Sequence, residues 1–356
     1  MPSICLNMII KNEAPVIDRC LASVKPWIDR WMIVDTGSTD GTQDIARSLM
    51  ADLPGELHER PWRDFAHNRN EALKLANQQA DYLLFIDADE TLAVPTGFRW
   101  PVLAGDGYRF NCEYAHLRYQ RNALIATRLP WRWCGVLHEY LDADQPHSWE
   151  ALAGPRILVN HDGARARDPK TYQRDIDVLE RALLAEPGNA RYVFYLAQSL
   201  RDAGQLEPSR TRYRQRADMG GWEEERWCAQ FRAAQLNELL ADPPETVREG
   251  YLAAYQARPS RAEPLYELAR YHRERSEFAL AHLFAQQAAA LPDSTDTLFI
   301  DASVYAWRAL DELVVASSYV GFHTQGRVAL QKLLVESRFP AEHRDRILGN
   351  RAFFGL

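Results

Sequence analysis

The sequence predicts an α/β domain built on a parallel sheet, followed by an all-α domain of helical repeats. Three observations carry this expectation. Apolar runs end in acidic residues, most plainly Tyr82-Leu83-Leu84-Phe85-Ile86 before Asp87-Ala88-Asp89-Glu90. Strand, polar loop and helix alternate through the first part of the chain, which needs crossovers between parallel strands. From Lys170 onward strand patterns give way to helical spacing with an internal repeat.

The elements follow in order. Ser3 to Ile10 reads as a buried strand closed by Lys11-Asn12-Glu13, with a helix expected from Ala14 to about Val24. Trp31-Met32-Ile33-Val34 is the second strand. It ends in Asp35-Thr36-Gly37-Ser38-Thr39-Asp40-Gly41-Thr42, a tight polar turn before a helix near Thr42. A helix from about Phe65 to Ala76 has Phe65, Ala66, Ala72, Leu73 and Ala76 for its apolar stripe. The five-residue run 82–86 has no polar alternation, as in a parallel strand buried on both faces. Beyond Asp89 the pattern becomes alternating and aromatic. Residues 107–112, 116–120 and 124–129 read as antiparallel strands, and 156–162 as the last strand.

Several of these positions carry chemistry. Asp87 and Asp89, spaced i, i+2 at a strand end, can aim a hard divalent cation at a diphosphate. Such a strand end is where open α/β sheets place ligands, although acidic pairs after strands are also common turns. Asp35 at the tip of the second strand can accept a hydrogen bond from a nucleotide base or ribose. Its alternative is a turn aspartate, which suits Asp40 better. Asn12 and Glu13 edge the same pocket, or Glu13 complements a helix dipole. Arg69 can meet a diphosphate or the carboxylates through its planar fork. It can also be a solvated surface arginine, since 37 of the 42 basic residues are Arg.

Met8-Ile9-Ile10-Lys11-Asn12-Glu13, Val34 to Thr42, Trp62 to Ala72 and Phe85 to Glu90 together resemble family 2 glycosyltransferases. The resemblance covers roughly residues 1–165. It implies a GT-A fold, a nucleotide-activated sugar as donor, with UDP the expected carrier, and Mn²⁺ or Mg²⁺ as cofactor. Within it, Asp87 and Asp89 are the expected metal residues. His161, at the end of the last strand, fits the histidine that many such enzymes return to the metal, and imidazole suits Mn²⁺. Transfer with inversion needs a base for the acceptor proton. Glu139 of His138-Glu139 is the expected base, with Asp89 the other catalytic carboxylate. His138 binds metal, orients Glu139 or packs in the core. Trp131 and Trp133 stack on a sugar or belong to the core.

Residues 164–169 read as a linker between a domain at 1–165 and a helical domain at 170–356. The segment from Pro187 through Tyr192 to Arg201 matches Pro259 through Pro264 to Arg273 at an offset of 72, two units of 36. This resembles tetratricopeptide repeats, with a degenerate middle unit near Trp222 to Arg258. Stacked helix pairs of that kind make a concave face. Tyr192, Tyr195 and Tyr266 are candidates to line it and hold a peptide or protein acceptor, with a place in the core the alternative for Tyr195 or Tyr266. A purely structural helical extension is the rival reading.

Composition narrows the classes further. A net charge of −7 and a pI near 5.8 argue against a non-specific nucleic-acid binder. The five cysteines, at 5, 20, 112, 134 and 228, include no CxxC and fit a reducing compartment. No signal peptide is evident and no apolar run reaches the ~20 residues of a membrane helix, so a cytoplasmic location is expected. A saccharide, lipopolysaccharide precursor or nucleic acid as acceptor, and a non-catalytic repeat protein, are the alternatives. Oligomeric state leaves no mark in the sequence.

Overall fold

The computed structural model describes residues 2–355. By packing the chain forms two units. The first holds residues up to Ala115 together with Tyr119–Ser199, and the second holds His116–Arg118 and the chain from Leu200 on.

In the first unit, β1 (Ile4–Ile10), α1 (Ile17–Val24), β2 (Arg30–Asp35), α2 (Thr42–Leu49), β3 (Gly55–Glu59), α3 (Phe65–Ala76) and β4 (Tyr82–Leu84) form the parallel half. Then come β5 (Glu90–Ala93), β6 (Gly107–Tyr114), β7 (Leu117–Ala126), β8 (Trp131–Cys134), β9 (Tyr140–Ala143) and β10 (Trp149–Val159). The main sheet runs β3-β2-β1-β4-β7-β6-β10-β5, and β8 pairs with β9 apart from it. β1 is parallel to both β2 and β4, and β4 meets β7 antiparallel. The sheet is therefore mixed, with its parallel strands leading into the site.

The apolar pattern explains why both faces are covered. Ile4, Leu6, Met8 and Ile10 point to one side of β1, where Ile17, Leu21, Val24 and Ala46 of the first two helices pack. Cys5, Met32, Leu83 and Phe85 point to the other, against Leu73 and Ala76 of α3. Each fully buried Ile, Leu or Met contributes roughly 1.5–3 kcal/mol.

Several boundaries differ from the sequence expectation. α1 begins at Ile17, because residues 11–16 are spent on a turn in which Glu13 accepts backbone bonds from Val16 and Ile17. The pieces expected at 116–120 and 124–129 are one strand, β7. The acidic run 87–90 leads into β5, which pairs antiparallel with β10. Edge strand β3 is largely exposed and polar, so its sequence carries no strand pattern.

The expected linker is also ordered. α4 (Ala164–Arg167) is one turn, followed by α5 (Thr171–Ala185) and α6 (Ala190–Asp202). The change to helix thus falls near residue 164, while the division of packing falls at Ser199.

The second unit contains α7 (Leu206–Asp218), α8 (Glu223–Leu239), α9 (Pro244–Ala257), α10 (Glu263–Glu274), α11 (Phe278–Ala290), β11 (Ile300–Asp301), α12 (Ala309–Tyr319), α13 (His323–Glu336) and α14 (Arg344–Gly349). The middle pair, α8 and α9, is as regular as its neighbours despite its drifted sequence. Ion pairs hold the array inside: Arg216 to Glu225 at 2.7 Å and Arg261 to Glu263 at 2.7 Å, each nearly sealed from solvent. β11 pairs with Leu117 and Arg118, partners distant in sequence. Tyr266 is 4% exposed and hydrogen-bonded to Arg308, and Tyr192 and Tyr195 are buried in the first unit. None of the three tyrosines lines an open groove, which corrects that expectation. Their rings are spent on packing.

Candidate active site

The site lies where β1, β2 and β4 end. Asp35 closes β2 and is fully buried. Its Oδ1 accepts the Gly37 and Ser38 backbone N–H groups at 2.9 Å and the Gln43 amide at 3.1 Å. Those bonds set the turn that the Thr-Gly-Ser sequence makes possible. Oδ2, equally buried, has no partner in the protein.

Asn12 clasps the loop after β1 to the same turn. It sits at φ 56°, a conformation asparagine tolerates. Its Oδ1 accepts from Thr39 N–H at 2.9 Å, and its own N–H donates to Ser38 Oγ at 2.8 Å. Beside it Glu13 accepts the Ala164 N–H at 3.0 Å. Burial, reinforced by Asp89 and Asp40, outweighs that bond and pushes the Glu13 carboxyl up to about 7.

After β4 the chain turns through Asp87 to Glu90. Arg69, from the second turn of α3, donates to Asp87 Oδ1 at 2.7 Å. Asp64 caps that helix by accepting the His67 N–H, which fixes where Arg69 projects. Arg121 of β7 reaches Asp87 at 3.4 Å and Glu90 at 2.8 Å. Desolvation by the surrounding chain opposes charge on Asp87, but Arg69 and Arg121 outweigh it and hold its carboxyl at about 2. Asp89 is shifted the other way, by burial and then by Asp87.

The segment after β10 folds over these carboxylates. Gly163 N–H donates to Asp89 Oδ2 at 3.3 Å, and a Cβ on Gly163 would lie 3.0 Å from that oxygen. Only glycine allows this approach without displacing Asp89. Arg19 pairs with Asp162 at 2.7 Å and Arg167 donates to the Asn12 carbonyl at 3.1 Å, tying the strap down.

The opposite wall comes from β8, β9 and the loop between them. Asn70 of α3 brackets Trp133 with two backbone bonds, 2.8 and 2.9 Å. The Trp133 ring meets Phe85 edge-on and takes the Arg69 guanidinium at 5.0 Å. Glu139 lies just before β9 with its side chain 7% exposed and Oε2 3.5 Å from Arg69 Nε. Burial pushes its carboxyl up, against the pull of Arg69. Glu139 Oε1, Trp133 Nε1 and Arg69 Nε are all buried without a hydrogen-bond partner in the protein. With Asp35 Oδ2 these make four of the seven such side-chain atoms among the described residues. Native cores rarely leave such atoms unpaired, so the concentration marks a place built for a ligand.

The expected residues separate accordingly. Asn12, Glu13, Asp35, Arg69, Asp87, Asp89, Trp133 and Glu139 form the walls described above. Trp131 does not join them: it is 7% exposed, donates to the Ala126 carbonyl at 2.9 Å and packs on Trp149. Trp131 and Trp133 share one face of β8, two residues apart, and only Trp133 reaches the Arg69 end. His138 faces α6, its ring stacked on Tyr195 at 3.7 Å. The surrounding chain, then Arg191 and Arg165, disfavour its protonation. His161 stands 3.4 Å from the Tyr172 hydroxyl. Among the described residues no three His, Cys, Asp or Glu side chains gather as a metal cluster.

Sequence reasoning missed Arg121, and of the strap at 160–167 it singled out only His161. An arginine within an alternating strand carries no sign of what it faces, and a Gly-Ala-Arg-Ala-Arg run looks like any linker.

Parallel strands ending in carboxylates, faced by an arginine and an enclosed glutamate, place this candidate site where open α/β sheets hold their ligands. Residues 5–95 match the model of glycosyl transferase family 2. The N-terminal domain is therefore a family 2 glycosyltransferase domain, followed by tetratricopeptide-like helices, and glycosyl transfer is the enzyme class of the chain. A TPR repeat-containing protein of Synechococcus elongatus is 28% identical over 315 residues, 82% of this chain and 76% of that protein. The SPbeta prophage-derived glycosyltransferase SunS of Bacillus subtilis is 26% identical over 218 residues, 56% of this chain. The match spans about half the length of SunS, 49%. Among solved structures, the crystal structure of MamA covers 47% of this chain with 14% identity and a TM-score of 0.38.

Proposed function

We propose that the chain transfers a sugar, with inversion, from a UDP-sugar to a peptide or protein acceptor with the help of Mn²⁺ or Mg²⁺. The observation that carries this reading is the enclosed Glu139 carboxylate, with one oxygen unpartnered, beside the Arg69–Asp87 pair. A raised carboxyl in a closed wall suits a base that takes the acceptor hydroxyl proton during attack. Trp133 offers a ring face and an unpaired indole N–H to the sugar. Asp35 Oδ2 accepts from the base or ribose, and Arg69 and Arg121 face the diphosphate.

The donor set fits a hard cation that keeps several waters and takes one or two carboxylates together with substrate phosphate. Asp89 is the better ligand. Its carboxylate accepts one long backbone bond, from Gly163, whereas Asp87 already serves two arginines. The cation would supply charge neutralisation for the leaving diphosphate. The helical array is read as the acceptor platform, and the absence of a helix long and apolar enough to cross a membrane among the described residues is compatible with a peptide acceptor.

The test is nucleotide release from UDP-, GDP-, CDP- and dTDP-sugars with Mn²⁺ or Mg²⁺, followed by mass spectrometry of lysate proteins incubated with the enzyme and the donor that is turned over. UDP release that EDTA stops, and a sugar mass added to a protein, are expected. Turnover in excess EDTA removes the metal, and modification of only saccharides or nucleic acid removes the peptide acceptor.

A further inference from the structure

We propose that Arg191, on α6, is a positioning residue that aims Glu139 into the site; the proposal rests on Glu139 acting as the base. The loop between β8 and β9, Gly135 to Glu139, has no regular structure of its own. His138 stands at φ 52° and Gly135 at φ 99°. A left-handed histidine is unfavourable and persists only where its surroundings over-determine it.

The surroundings here come from α6. Arg191 donates twice to the His138 carbonyl, from Nη2 at 2.7 Å and from Nε at 3.0 Å. Charge-assisted bonds of this kind are stronger than neutral ones, and the planar fork fixes direction as well as distance. The same guanidinium lies over Tyr140 at 5.3 Å and over Tyr195 at 4.9 Å. The His138 ring is stacked on Tyr195 at 9°. Tyr192 lies 3.9 Å from where a Cβ on Gly135 would stand.

Both neighbours of Glu139 are thus engaged by one arginine on one side. Glu139, between them, is turned to the other side, where its carboxylate meets Arg69. α6 groups with the sheet unit in packing, which accords with a helix that completes the site. Arg191 meets the loop at the His138 carbonyl, so its effect on Glu139 passes through that loop.

The experiment uses the full chain and compares Arg191→Ala and Arg191→Lys with wild type and with Glu139→Gln. UDP-glucose hydrolysis gives kcat and KM, hydrogen exchange of the peptide spanning residues 134–140 reports the loop, and thermal melting reports the fold. Arg191→Ala should lower kcat by about 10²-fold, the size of loss a misplaced group produces. KM for UDP-glucose should stay within about twofold. Exchange in 134–140 should rise, and the lysine should recover part of kcat, since it keeps the charge without the fork. A kcat equal to wild type, or a loss matched by raised KM and a lowered melting point in both variants, overturns the proposal. Crystal structures of wild type and Arg191→Lys measure the Glu139–Arg69 separation whatever donor the enzyme takes. An unchanged separation overturns the proposal, and a lengthened one supports it. If UDP-glucose is not hydrolysed, or Glu139→Gln is fully active, the reading of the site fails, while that separation still judges Arg191.

Discussion

Glu139 and Glu13 show how one side-chain type takes two tasks from its surroundings. Glu139 has an oxygen that nothing in the protein satisfies, and Glu13 has both oxygens on one backbone N–H. Glu139→Gln should lower kcat for donor hydrolysis by about 10²–10⁴ with UDP affinity retained, because it removes a proton acceptor at almost constant shape. Steady-state kinetics beside calorimetry checks this. As burial pushes the Glu139 carboxyl up, kcat should also rise with pH above the ordinary carboxylate range, and that limb should vanish in the Gln variant. For Glu13 the consequence is stability. Its folded-state value, about 7, lies above the ordinary 4.5, so the folded chain holds that proton more tightly than the unfolded one. The stabilisation is complete below pH 4.5 and is lost as pH rises through 7. Glu13→Gln keeps the bond to Ala164 without the charge. Its melting point relative to wild type, measured in EDTA, should therefore be more favourable at pH 8 than at pH 5.

At the scale of elements, β7 and the strap after β10 are what close the site. Arg121 on β7 joins Glu90, 3% exposed, to Asp87. Removing one partner of a buried pair strands the other charge, at a cost of roughly 3–5 kcal/mol. Arg121→Met should lose about that much in urea unfolding, and Arg121→Met with Glu90→Gln should lose less, since the uncompensated charge is then gone. The strap acts by closeness. Gly163→Ala puts a methyl group 3.0–3.1 Å from the Asp89 carboxylate. We expect a several-fold rise in the Mn²⁺ concentration needed for half-maximal donor hydrolysis, with the melting point little changed. Equal metal titrations in variant and wild type would detach Asp89 from the cation.

At the scale of the molecule, the change in secondary structure and the change in packing fall at different places. Helix begins at Ala164, yet α5 and most of α6 group with the sheet unit. A chain ending at residue 169 should therefore lose the cooperative near-UV transition of the sheet unit, because it lacks the helix that holds residues 135–139. A chain ending at residue 203 should keep it and still hydrolyse donor, while losing transfer to a protein acceptor. Circular dichroism and nucleotide release on the two truncations separate these outcomes. If the shorter chain melts like the longer one, α5 and α6 are dispensable to the sheet unit.

The buried strands β1, β2 and β4, the polar turn at Asp35, the acidic run at 87–90 and the change to helical spacing in the second half of the chain were legible from the sequence. They depend on local rules: unbroken apolar runs for doubly covered strands, Gly-Ser-Thr-Asp at tight turns, and a repeated period for stacked helices. What only the tertiary structure decided was direction and company. Trp131 and Trp133 are two residues apart on one face of β8 and chemically alike, but the Ala126 carbonyl and Trp149 hold one in the core while the other lies against Arg69. Arg121, Gly163 and Arg191 lie far along the chain from Asp87, Asp89 and Glu139. No spacing rule links them, because strand pairing and helix packing bring them together only after the chain has folded.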